Sequence, residues 1–563
     1  MTATDPQSSR CQKVLDRKAP STHDGTVGAR CAYQCRPCLS IQHSLTYPIN
    51  GLGCKVCGTA DRRGEHTRFV RFCRIGYMES SSLDSIELKI SDGVTLSVPA
   101  TLQSITTYVL LEQEAWFEKE MGFLRHWLRS GMTVIDIGAN IGVYSLPISR
   151  LVGRTGRVFA YEPGNEARSF LQRSQKLNQT DNLEILPLAL SDTQRVGRLL
   201  HGGSSELNAL GDSGAGETVE ITSLDDEDVA RGWAPPDFVK IDAEGEEERI
   251  LGGARNFLTR YSPLIMFEIK AGAKTNEQLR VLFPSLGYRL FRQLEGAPIL
   301  VPDFPQQKLD EYELNLFAAK PDRVRLLSEH GFLVDAFPAW MPTTEDRNYA
   351  DSFWKHQTFA PFIGMLANTV EPAAERYRNA LAVYATWRAV DRPADIRCAA
   401  LAYALRGLRA VCGRTPTPER QSMWARVAWE SGARNESVSV LRQMLQTQGS
   451  SQARLDEPFW PAAARFDHIV PGKQPTNWFV GAVAEQYEKA ASFSSVFAGP
   501  SPVLNWLCNQ TFASAEMERR RVLIAARAGM RPSVPAKLCV AAPDHLNAEL
   551  WRAAKVPGTI AAA

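Results

Sequence analysis

The sequence of 563 residues lacks any long apolar run. No stretch approaches the ~18 consecutive apolar residues that a membrane-spanning helix needs, and the N-terminal residues lack the apolar core of a secretory signal. We therefore expect no membrane partner and a cytoplasmic location. The sequence also lacks an excess of one charge, because 64 Lys and Arg residues face 62 Asp and Glu residues. This balance argues against a nucleic-acid partner for the whole chain.

Cysteine is scarce except near the N-terminus, where seven of the eleven cysteines precede residue 75. No signal points to an oxidising compartment, so a disulfide scaffold is not expected. Two Cys-x-x-Cys pairs, Cys35/Cys38 and Cys54/Cys57, are separated by fifteen residues. Pairs at this spacing predict a structural zinc site with four thiolate ligands. The alternative is that these cysteines are unpaired thiols in a disordered segment.

The composition along the chain predicts four segments. Residues 1–30 are polar and basic without periodicity, which indicates a disordered tail. Residues 31–75 hold the cysteine pairs and form the predicted zinc module. Residues 80–325 alternate strand and helix patterns, whereas residues 345–563 are helical in period and predict an all-α domain. This last domain could bind a protein partner.

The segment 80–325 has the pattern of a parallel sheet with helices on both faces, because short apolar runs alternate with amphipathic stretches. The predicted strands are Val134–Ile137, Val158–Tyr161, Leu183–Leu190, Phe238–Ile241 and Leu264–Ile269, with Tyr288–Arg292 and Leu314–Ala319 as a late pair. The predicted fold class is α/β, with a seven-stranded Rossmann-like sheet. The Gly- and Ser-rich stretch Ser191–Thr222 interrupts the alternation and predicts a mobile loop at the mouth of the site.

Other local signals predict helices and turns around this sheet. Asp92-Gly93 predicts a hairpin turn between two short strands. The apolar spacing predicts single helices over Tyr108–Ser130, Glu166–Asn178 and Glu246–Leu258, and a tetratricopeptide-like pair over Met423–Glu430 and Glu436–Thr447. We find no sustained repeat period, and the run Arg519–Arg521 is expected on a solvated helix face.

The most informative stretch is Val134–Gly142, in which an apolar strand ends in an acid and a glycine-spaced turn opens a helix. Such a loop lets the backbone approach a nucleotide closely. Gly138 and Gly142 would leave room for the ligand. Asp136 would accept an ammonium group, and Asn140 would hold a carboxylate. The alternative for an isolated loop of this kind is a plain structural turn.

Two further strand ends extend the pattern. Glu162 directly follows the second strand, about twenty residues after the loop, where a carboxylate accepts hydrogen bonds from ribose hydroxyls. The same position serves NAD, so Glu162 alone does not separate methyl transfer from hydride transfer. Ser191 and Asp192 follow the third predicted strand, where an adenine edge would lie, although an ordinary turn explains them equally well.

Asp242, Glu244 and Glu268 place three carboxylates at the ends of the fourth and fifth strands. Two acids one residue apart after a strand can act as a general base for a hydroxyl, or as oxygen ligands of a divalent cation. An acid-rich first helical turn is the simpler explanation for Glu246–Glu248. It does not explain Asp242 at the end of a buried strand. Together, the strand ends predict a methyltransferase that uses S-adenosylmethionine.

From about residue 85 to 320 the chain resembles the FkbM family of methyltransferases, over less than half of its length. An ordered set of motifs carries the resemblance: Val-Ile-Asp-Ile-Gly-Ala-Asn-Ile-Gly (134–142), Glu-Pro (162–163), Ala-Leu-Ser-Asp (189–192), Thr-Ser-Leu-Asp (222–225) and Lys-Ile-Asp-Ala-Glu-Gly (240–245). The resemblance implies a class I methyltransferase fold and O-methylation of hydroxyls on sugars or polyketide-like metabolites.

By the same resemblance, particular residues of this chain receive roles. The implied cofactor contacts are Asp136, Gly138, Asn140, Gly142 and Glu162, and the implied site carboxylates are Asp242 and Glu244. The expected acceptor is a saccharide or a glycosylated small molecule. The cysteine-rich segment and the helical segment lie outside the resemblance, so the acceptor of this chain can differ from the acceptors of the family.

Two other functions compete with methyl transfer. A nicotinamide-dependent dehydrogenase would prefer a Gly-x-Gly-x-x-Gly loop, whereas here Ala139-Asn140 follows Gly138 and Asp136 precedes it. A non-catalytic adaptor built on the same fold would use the cysteine-rich and helical segments to bind a partner. The presence of Asp136, Glu162 and Asp242 argues against an inactive site.

Overall fold

The computed structural model describes residues 84–211, 216–271, 274–362, 372–448 and 455–561. The predicted basic tail and the predicted zinc ligands Cys35, Cys38, Cys54 and Cys57 lie outside these ranges. No helix within them combines the length and apolar character that a membrane crossing requires.

Sixteen strands lie in the described ranges. In chain order they are β1 (Ser85–Lys89), β2 (Thr95–Pro99), β3 (Thr133–Ile137), β4 (Arg157–Tyr161), β5 (Leu183–Leu186), β6 (Leu188–Leu190), β7 (Arg195–Leu200), β8 (Ala209–Gly211), β9 (Glu217–Thr222), β10 (Phe238–Ile241), β11 (Leu264–Glu268), β12 (Lys270–Ala271), β13 (Lys274–Thr275), β14 (Arg289–Gln293), β15 (Leu300–Pro302) and β16 (Asn315–Ala319).

Eighteen α-helices lie in the same ranges. They are α1 (Ile105–Gln113), α2 (Glu120–Trp127), α3 (Ser145–Val152), α4 (Asn165–Asn178), α5 (Leu224–Arg231), α6 (Glu247–Gly252), α7 (Arg255–Arg260), α8 (Glu277–Ser285), α9 (Pro321–Glu329), α10 (Thr344–Lys355), α11 (Pro372–Arg388), α12 (Ala394–Cys412), α13 (Pro418–Glu430), α14 (Arg434–Gln448), α15 (Pro475–Ala490), α16 (Pro502–Cys508), α17 (Ala515–Arg527) and α18 (Ala548–Arg552).

The main sheet has eight strands in the order β15-β14-β16-β11-β10-β3-β4-β5. The five strands from β11 to β5 are parallel, and β16, β14 and β15 pair antiparallel at the other side. The predicted α/β class is confirmed. The predicted number of seven strands is wrong, because Leu300–Pro302 pairs with β14 and adds an edge strand.

Helices cover both faces of this sheet, because apolar side chains of one strand point alternately to opposite faces. On β3, Val134 joins the apolar cluster under α3 and α4, whereas Ile135 joins the cluster under α6 and α7. Every residue of β3 and β10 is buried, as expected for central parallel strands. The carboxyl ends of the parallel strands therefore meet at one rim of a rigid sheet.

The predicted third strand Leu183–Leu190 is in fact two strands in different sheets. Pro187, which has no backbone N–H, separates β5 from β6. β6 belongs to a second sheet with the order β6-β9-β7-β8. The prediction of a mobile loop over Ser191–Thr222 is therefore wrong for most of that stretch.

The glycines of this stretch misled the prediction because some of them lie inside strands. A Cβ on Gly197 in β7 would lie 2.5 Å from the Cδ1 atom of Ile221 in β9. The small residue is therefore needed for close packing between strands, which is a known use of glycine in a sheet.

Two predicted helices are each divided into two. The predicted helix Tyr108–Ser130 becomes α1 and α2, because α1 ends at Glu114 with a left-handed φ of 55°. The predicted helix Glu246–Leu258 becomes α6 and α7, with Gly253 at the break. A Cβ on Gly253 would lie 2.5 Å from the carbonyl oxygen of Ser191, so the break follows from close packing against the end of β6.

The chain after β16 folds as helices from α9 to α18. The predicted helix pair is confirmed as α13 and α14, with Gly432 in the turn at a φ of 78°. Helices α11 to α15 share one apolar cluster with side chains around β15, including Ile299 and Val301. The division at residue 345 stays a prediction.

The prediction of a solvated face for Arg519–Arg521 is wrong for two of the three residues. Arg519 and Arg520 are each only 2% exposed. The Arg520 guanidinium lies 3.1 Å from the buried carboxylate of Glu112, and that of Arg519 lies 3.5 Å from Glu114. These two ion pairs, which we call the α1–α17 ion network, join the first helix to a helix four hundred residues later.

Candidate active site

The glycine loop between β3 and α3 packs directly on the end of β10. Gly138 has a φ of 77°, and a Cβ at this position would lie 1.8 Å from the carbonyl oxygen of Asp242. Only glycine fits there, because both the left-handed backbone and the close approach exclude a side chain. The loop thus brings Asp136 and Asp242 to the same rim of the sheet.

Asp136 is fully buried at the end of β3. Its Oδ2 atom accepts a hydrogen bond from the Ser145 hydroxyl at 2.5 Å, whereas its Oδ1 atom has no hydrogen-bond partner in the described part of the chain. A buried carboxylate oxygen without a donor is unfavourable by itself. Burial raises the pKa of Asp136, so a bound ammonium group would satisfy this atom and favour the carboxylate form.

Lys240 in β10 is the buried cation of the site. Its ammonium donates to the Oδ2 atom of Asp242 at 2.8 Å and lies 3.8 Å from the Oδ1 atom of Asp136. Burial acts to lower the pKa of Lys240, but the charges of Asp242 and Asp136 raise it above its usual value. The sequence prediction gave Lys240 no role in the site. A lysine inside an otherwise apolar strand is nevertheless a sign of a functional residue that can be read from the sequence.

Two other polar groups complete this side of the site and were also missed. The ring of Tyr144 lies 5.1 Å from the Lys240 ammonium, and its hydroxyl donates to the Oε2 atom of Glu118 at 2.6 Å. Burial, and then the charge of Asp242, raise the pKa of Glu118. Glu118 comes from the turn between α1 and α2, which no local motif connects with the site.

Glu162 lies directly after β4, as predicted, and is 7% exposed. Its Oε2 atom accepts a hydrogen bond from the backbone N–H of Asn140 at 2.8 Å, and its Oε1 atom accepts one from Gly164 at 2.7 Å. Burial raises the pKa of Glu162 to about 7, although these two hydrogen bonds oppose the shift. Each oxygen retains a lone pair, so ribose hydroxyls can still donate to it.

A segment of the second sheet covers the glycine loop. Ser205, in a 3-10 turn between β7 and β8, donates a hydrogen bond to the Oδ1 atom of Asn140 at 3.0 Å. Glu206 accepts a hydrogen bond from the Thr106 backbone N–H at 3.0 Å, which ties the same segment to the start of α1. Asn140 itself adopts a left-handed φ of 50°. The side chain of Asn140 therefore contacts the segment that contains Ser205. The sequence did not indicate this contact.

Asp242, Glu244 and Glu268 come together as predicted, with one carboxylate oxygen of each within 4.8 Å of the others. Burial, and then the charges of Asp242 and Glu247, raise the pKa of Glu244 to about 7. Burial, and then the charges of Asp242 and Glu244, raise the pKa of Glu268 to about 10. We call these three residues the acid cluster.

The acid cluster can hold a proton or a cation. Glu268 carries a proton at neutral pH, and Glu244 exchanges one near pH 7. The Oε2 atom of Glu268 is buried without a hydrogen-bond partner among the described residues. An ionised carboxylate of Asp242 or Glu244 can accept a proton from a hydroxyl, and the oxygens of all three residues also suit a divalent cation.

Ser191 and Asp192 lie at the end of β6 in the second sheet, not at the end of the third strand of the main sheet. The Ser191 hydroxyl donates to the Oε2 atom of Glu246 at 2.8 Å, and Asp192 forms an ion pair with Arg195 at 2.7 Å. Both side chains thus have partners within the chain. Their role beside an adenine ring stays a prediction.

Comparison with known families agrees with the motifs. Residues 136–290 match the family described as the methyltransferase FkbM domain. The predicted resemblance is confirmed over these residues. The cysteine-rich segment and the helices after α9 lie outside the match. No curated protein was found to match the chain.

Three solved structures illustrate the likeness at the level of structure. The methyltransferase FkbM from Methylobacillus flagellatus KT is 18% identical, with 38% of this chain and 47% of that chain covered and a TM-score of 0.25. A SAM-dependent methyltransferase from Aquifex aeolicus is 13% identical, with coverage of 37% and 90% and a TM-score of 0.22. The precorrin-6y C5,15-methyltransferase from Geobacter metallireducens GS-15 is 15% identical, with coverage of 36% and 88% and a TM-score of 0.22. The chain spans about half the length of the first of these relatives.

Proposed function

We propose that the protein, whose residues 136–290 form a methyltransferase FkbM domain, is an S-adenosylmethionine-dependent O-methyltransferase. The proposed acceptor is a hydroxyl group of a sugar, a glycan or a glycosylated metabolite. One observation carries the proposal. A buried carboxylate with an oxygen that accepts no hydrogen bond from a described residue, Asp136, lies at the same sheet rim as a strand-end carboxylate, Glu162, and a cluster of three acids.

The residues present fit the proposed cofactor. The Oδ1 atom of Asp136, which lacks a hydrogen-bond donor among the described residues, would accept a hydrogen bond from the ammonium of its methionine part, and Glu162 would accept hydrogen bonds from its ribose hydroxyls. Gly138, Asn140 and Gly142 would provide the close backbone approach, and Ser191 and Asp192 would border the adenine. When bound, S-adenosylmethionine supplies an electrophilic methyl group.

The acid cluster would act on the acceptor hydroxyl. A carboxylate of Asp242 or Glu244 accepts the hydroxyl proton, and the Lys240 ammonium holds Asp242 in place at 2.8 Å. Glu268 retains its own proton at neutral pH because burial and its acidic neighbours raise its pKa to about 10. A divalent cation bound by the three carboxylates would lower these pKa values and hold the acceptor oxygen instead. Positioning of the two reactants supplies a further share of the rate.

Replacing Glu162 with Ala is expected to weaken the binding of S-adenosylmethionine by about 1.5–3 kcal/mol, the scale of hydrogen bonds to a charged group. The loss has two sources, because Glu162 would bind the ribose and also accepts the backbone N–H of Asn140. Isothermal titration calorimetry of the full chain measures the affinity. Glu166→Ala is the matched control, since Glu166 is an exposed acid at the start of α4.

Unchanged affinity in Glu162→Ala would refute the ribose contact. The same titration with NAD and NADP tests the function as a whole. We expect binding of S-adenosylmethionine and of its demethylated product, and tighter binding of a nicotinamide cofactor would contradict methyl transfer.

We also propose a structural zinc ion at Cys35, Cys38, Cys54 and Cys57, on the spacing of these residues alone. Elemental analysis of purified protein is expected to give about one zinc per chain, as in four-thiolate sites. Cys54→Ser should lose the zinc, whereas Cys398→Ser, which changes a buried thiol of α12, should keep it. Full zinc content in Cys54→Ser would show that the ligands are other residues.

A further inference from the structure

A cavity of about 220 Å³ lies between the turn that connects α1 with α2 and the C-terminal helices. Phe117 and Glu118 line it from the α1–α2 turn, and Trp429, Arg434 and Phe493 line it from the helical part. Pockets for drug-sized ligands are usually larger, about 300–1,000 Å³. The space therefore suits a small group such as one sugar ring.

The cavity adjoins the acid cluster through two of its lining residues. The Glu118 carboxylate accepts a hydrogen bond at 3.0 Å from the side chain of Asn315, and Asn315 is the sheet partner of Glu268. Leu314, which also lines the cavity, accepts the backbone N–H of Ile269 at 2.8 Å. These contacts connect the wall of the cavity with the end of β11, which carries Glu268 of the acid cluster.

Arg434 is a buried cation in the wall of this cavity that forms no direct ion pair with a described residue. It is 6% exposed, and its guanidinium lies 4.4 Å from the ring centres of Tyr312 and Phe493 and 5.0 Å from that of Trp429. Its Nε and Nη2 atoms donate to the backbone carbonyls of Ala490 and Lys489. Within the described part of the chain, no carboxylate oxygen lies within 4.0 Å of it.

The other cations of the cavity wall are neutralised by acids. The ammonium of Lys119 lies 2.7 Å from Glu313, and that of Lys489 lies 3.0 Å from Glu516. The guanidinium of Arg520 belongs to the α1–α17 ion network. Arg434 thus differs from its neighbours in that no carboxylate contacts it directly, while Glu295, Asp310 and Glu313 act on it only from a greater distance. An anion in contact with the guanidinium would offset the cost of burying it.

We propose that Arg434 binds an anionic group, a carboxylate or a phosphate, of a small sugar-sized acceptor seated in this cavity. The planar guanidinium suits both groups because it donates two parallel hydrogen bonds, and the surrounding aromatic rings suit the apolar face of a sugar. This proposal depends on the proposed methyl transfer in one respect only, namely that the ligand is called a methyl acceptor. It narrows the acceptor class from sugars in general to acidic sugars.

The acids of the wall are in part paired with cations or protonated, which reduces their repulsion of a bound anion. Glu295 lies 3.5 Å from the ammonium of Lys119, and Glu516 is paired with Lys489. Burial raises the pKa of Glu120 to about 8, so this side chain carries a proton at neutral pH. Burial and the charge of Asp242 also raise the pKa of Glu118.

The test is calorimetric binding of D-glucuronate, D-glucose 6-phosphate and D-glucose to the full chain, which requires no turnover. We expect at least one of the two anions to bind about tenfold or more tightly than glucose. Arg434→Gln should remove this preference, and Arg434→Lys should keep part of it. Tighter binding of D-glucuronate would identify the preferred group as a carboxylate, and tighter binding of D-glucose 6-phosphate would identify it as a phosphate.

A second variant keeps the test valid if Arg434→Gln does not fold. Leu314→Trp fills the cavity without changing its charge. It should weaken the binding of the preferred anion by about tenfold or more. Equal binding of all three probes, or an anion preference that survives in Arg434→Gln, would overturn the assignment. Parallel titration with S-adenosylmethionine separates the two proposals. If the protein binds the cofactor but shows no preference for anions, only the anion site at Arg434 is refuted. If it prefers anions but does not bind the cofactor, only the proposed methyl transfer is refuted.

Discussion

Replacing Asp242 with Asn is expected to lower the turnover of methyl transfer about a hundredfold or more, the usual loss when general base help is removed. Asn keeps the shape and polarity of the side chain but removes the negative charge beside the Lys240 ammonium and the rest of the acid cluster. A screen of acidic and neutral saccharides with radiolabelled S-adenosylmethionine gives the rate of the wild type. The same assay then measures the variant.

The control for Asp242→Asn is Glu248→Gln, which neutralises an exposed acid of the same acidic run. It should keep the wild-type rate. Asp242→Asn also removes the nearest counter-charge of the buried Lys240, so we expect a lower melting temperature as well. Rates are therefore compared well below both melting temperatures. A wild-type rate in Asp242→Asn would refute its role as base or cation ligand.

The pH profile distinguishes Asp242 from Glu244. If Glu244 accepts the proton, its pKa of about 7 makes the rate fall as the pH decreases below 7, because the protonated form cannot act as a base. Glu244→Gln would then lower the rate and abolish this fall. A fall that persists in Glu244→Gln assigns the titration to another group.

Replacing Arg520 with Met is expected to lower the free energy of unfolding by about 3–5 kcal/mol, the usual effect of removing one partner of a buried ion pair. The variant leaves the carboxylate of Glu112 fully buried without its cation. Glu112 would retain its hydrogen bonds from Ser495 and a long one, at 3.4 Å, from the side chain of Gln113. The midpoint of urea unfolding, followed by circular dichroism, measures the loss.

Arg521→Met is the matched control, because the next arginine of the same run is 40% exposed and pairs with Glu518 at the surface. We expect it to change stability by no more than about 1 kcal/mol. The double variant Glu112→Gln/Arg520→Met should recover part of the loss, since it removes the buried charge of Glu112, although Glu488 still loses its contact with Arg520. Equal unfolding midpoints for Arg520→Met and Arg521→Met would contradict the network.

The sequence predicted those parts of the fold that depend on neighbouring residues. The parallel strands β3, β4, β10 and β11 and the helix pair α13–α14 were found from their periodicity, and their ends differ by few residues from the prediction. The acid cluster was predicted for the same reason, because its members follow strands whose carboxyl ends must meet at one rim. Glu162 was found in this way too.

The features that were missed depend on contacts between distant parts of the chain. Glu118 reaches the site from a turn more than a hundred residues before Asp242, and Ser205 reaches Asn140 from another sheet. The arginine run was placed in solvent because its partners, at the end of α1, are about four hundred residues away. A charge pattern shows whether a helix face is polar, but not whether an opposite charge covers it.

The C-terminal helices also determine when the fold can be completed. Side chains of α17 and α18, including Leu523 and Trp551, belong to the same apolar cluster as Leu96 of β2 and Tyr108 of α1. The ribosome makes α1 and the pair of strands β1 and β2 long before the helices that cover them, so this apolar face stays open during most of translation. Because exposed apolar surface promotes aggregation, we expect a chain terminated before α17 to aggregate more readily than the full chain.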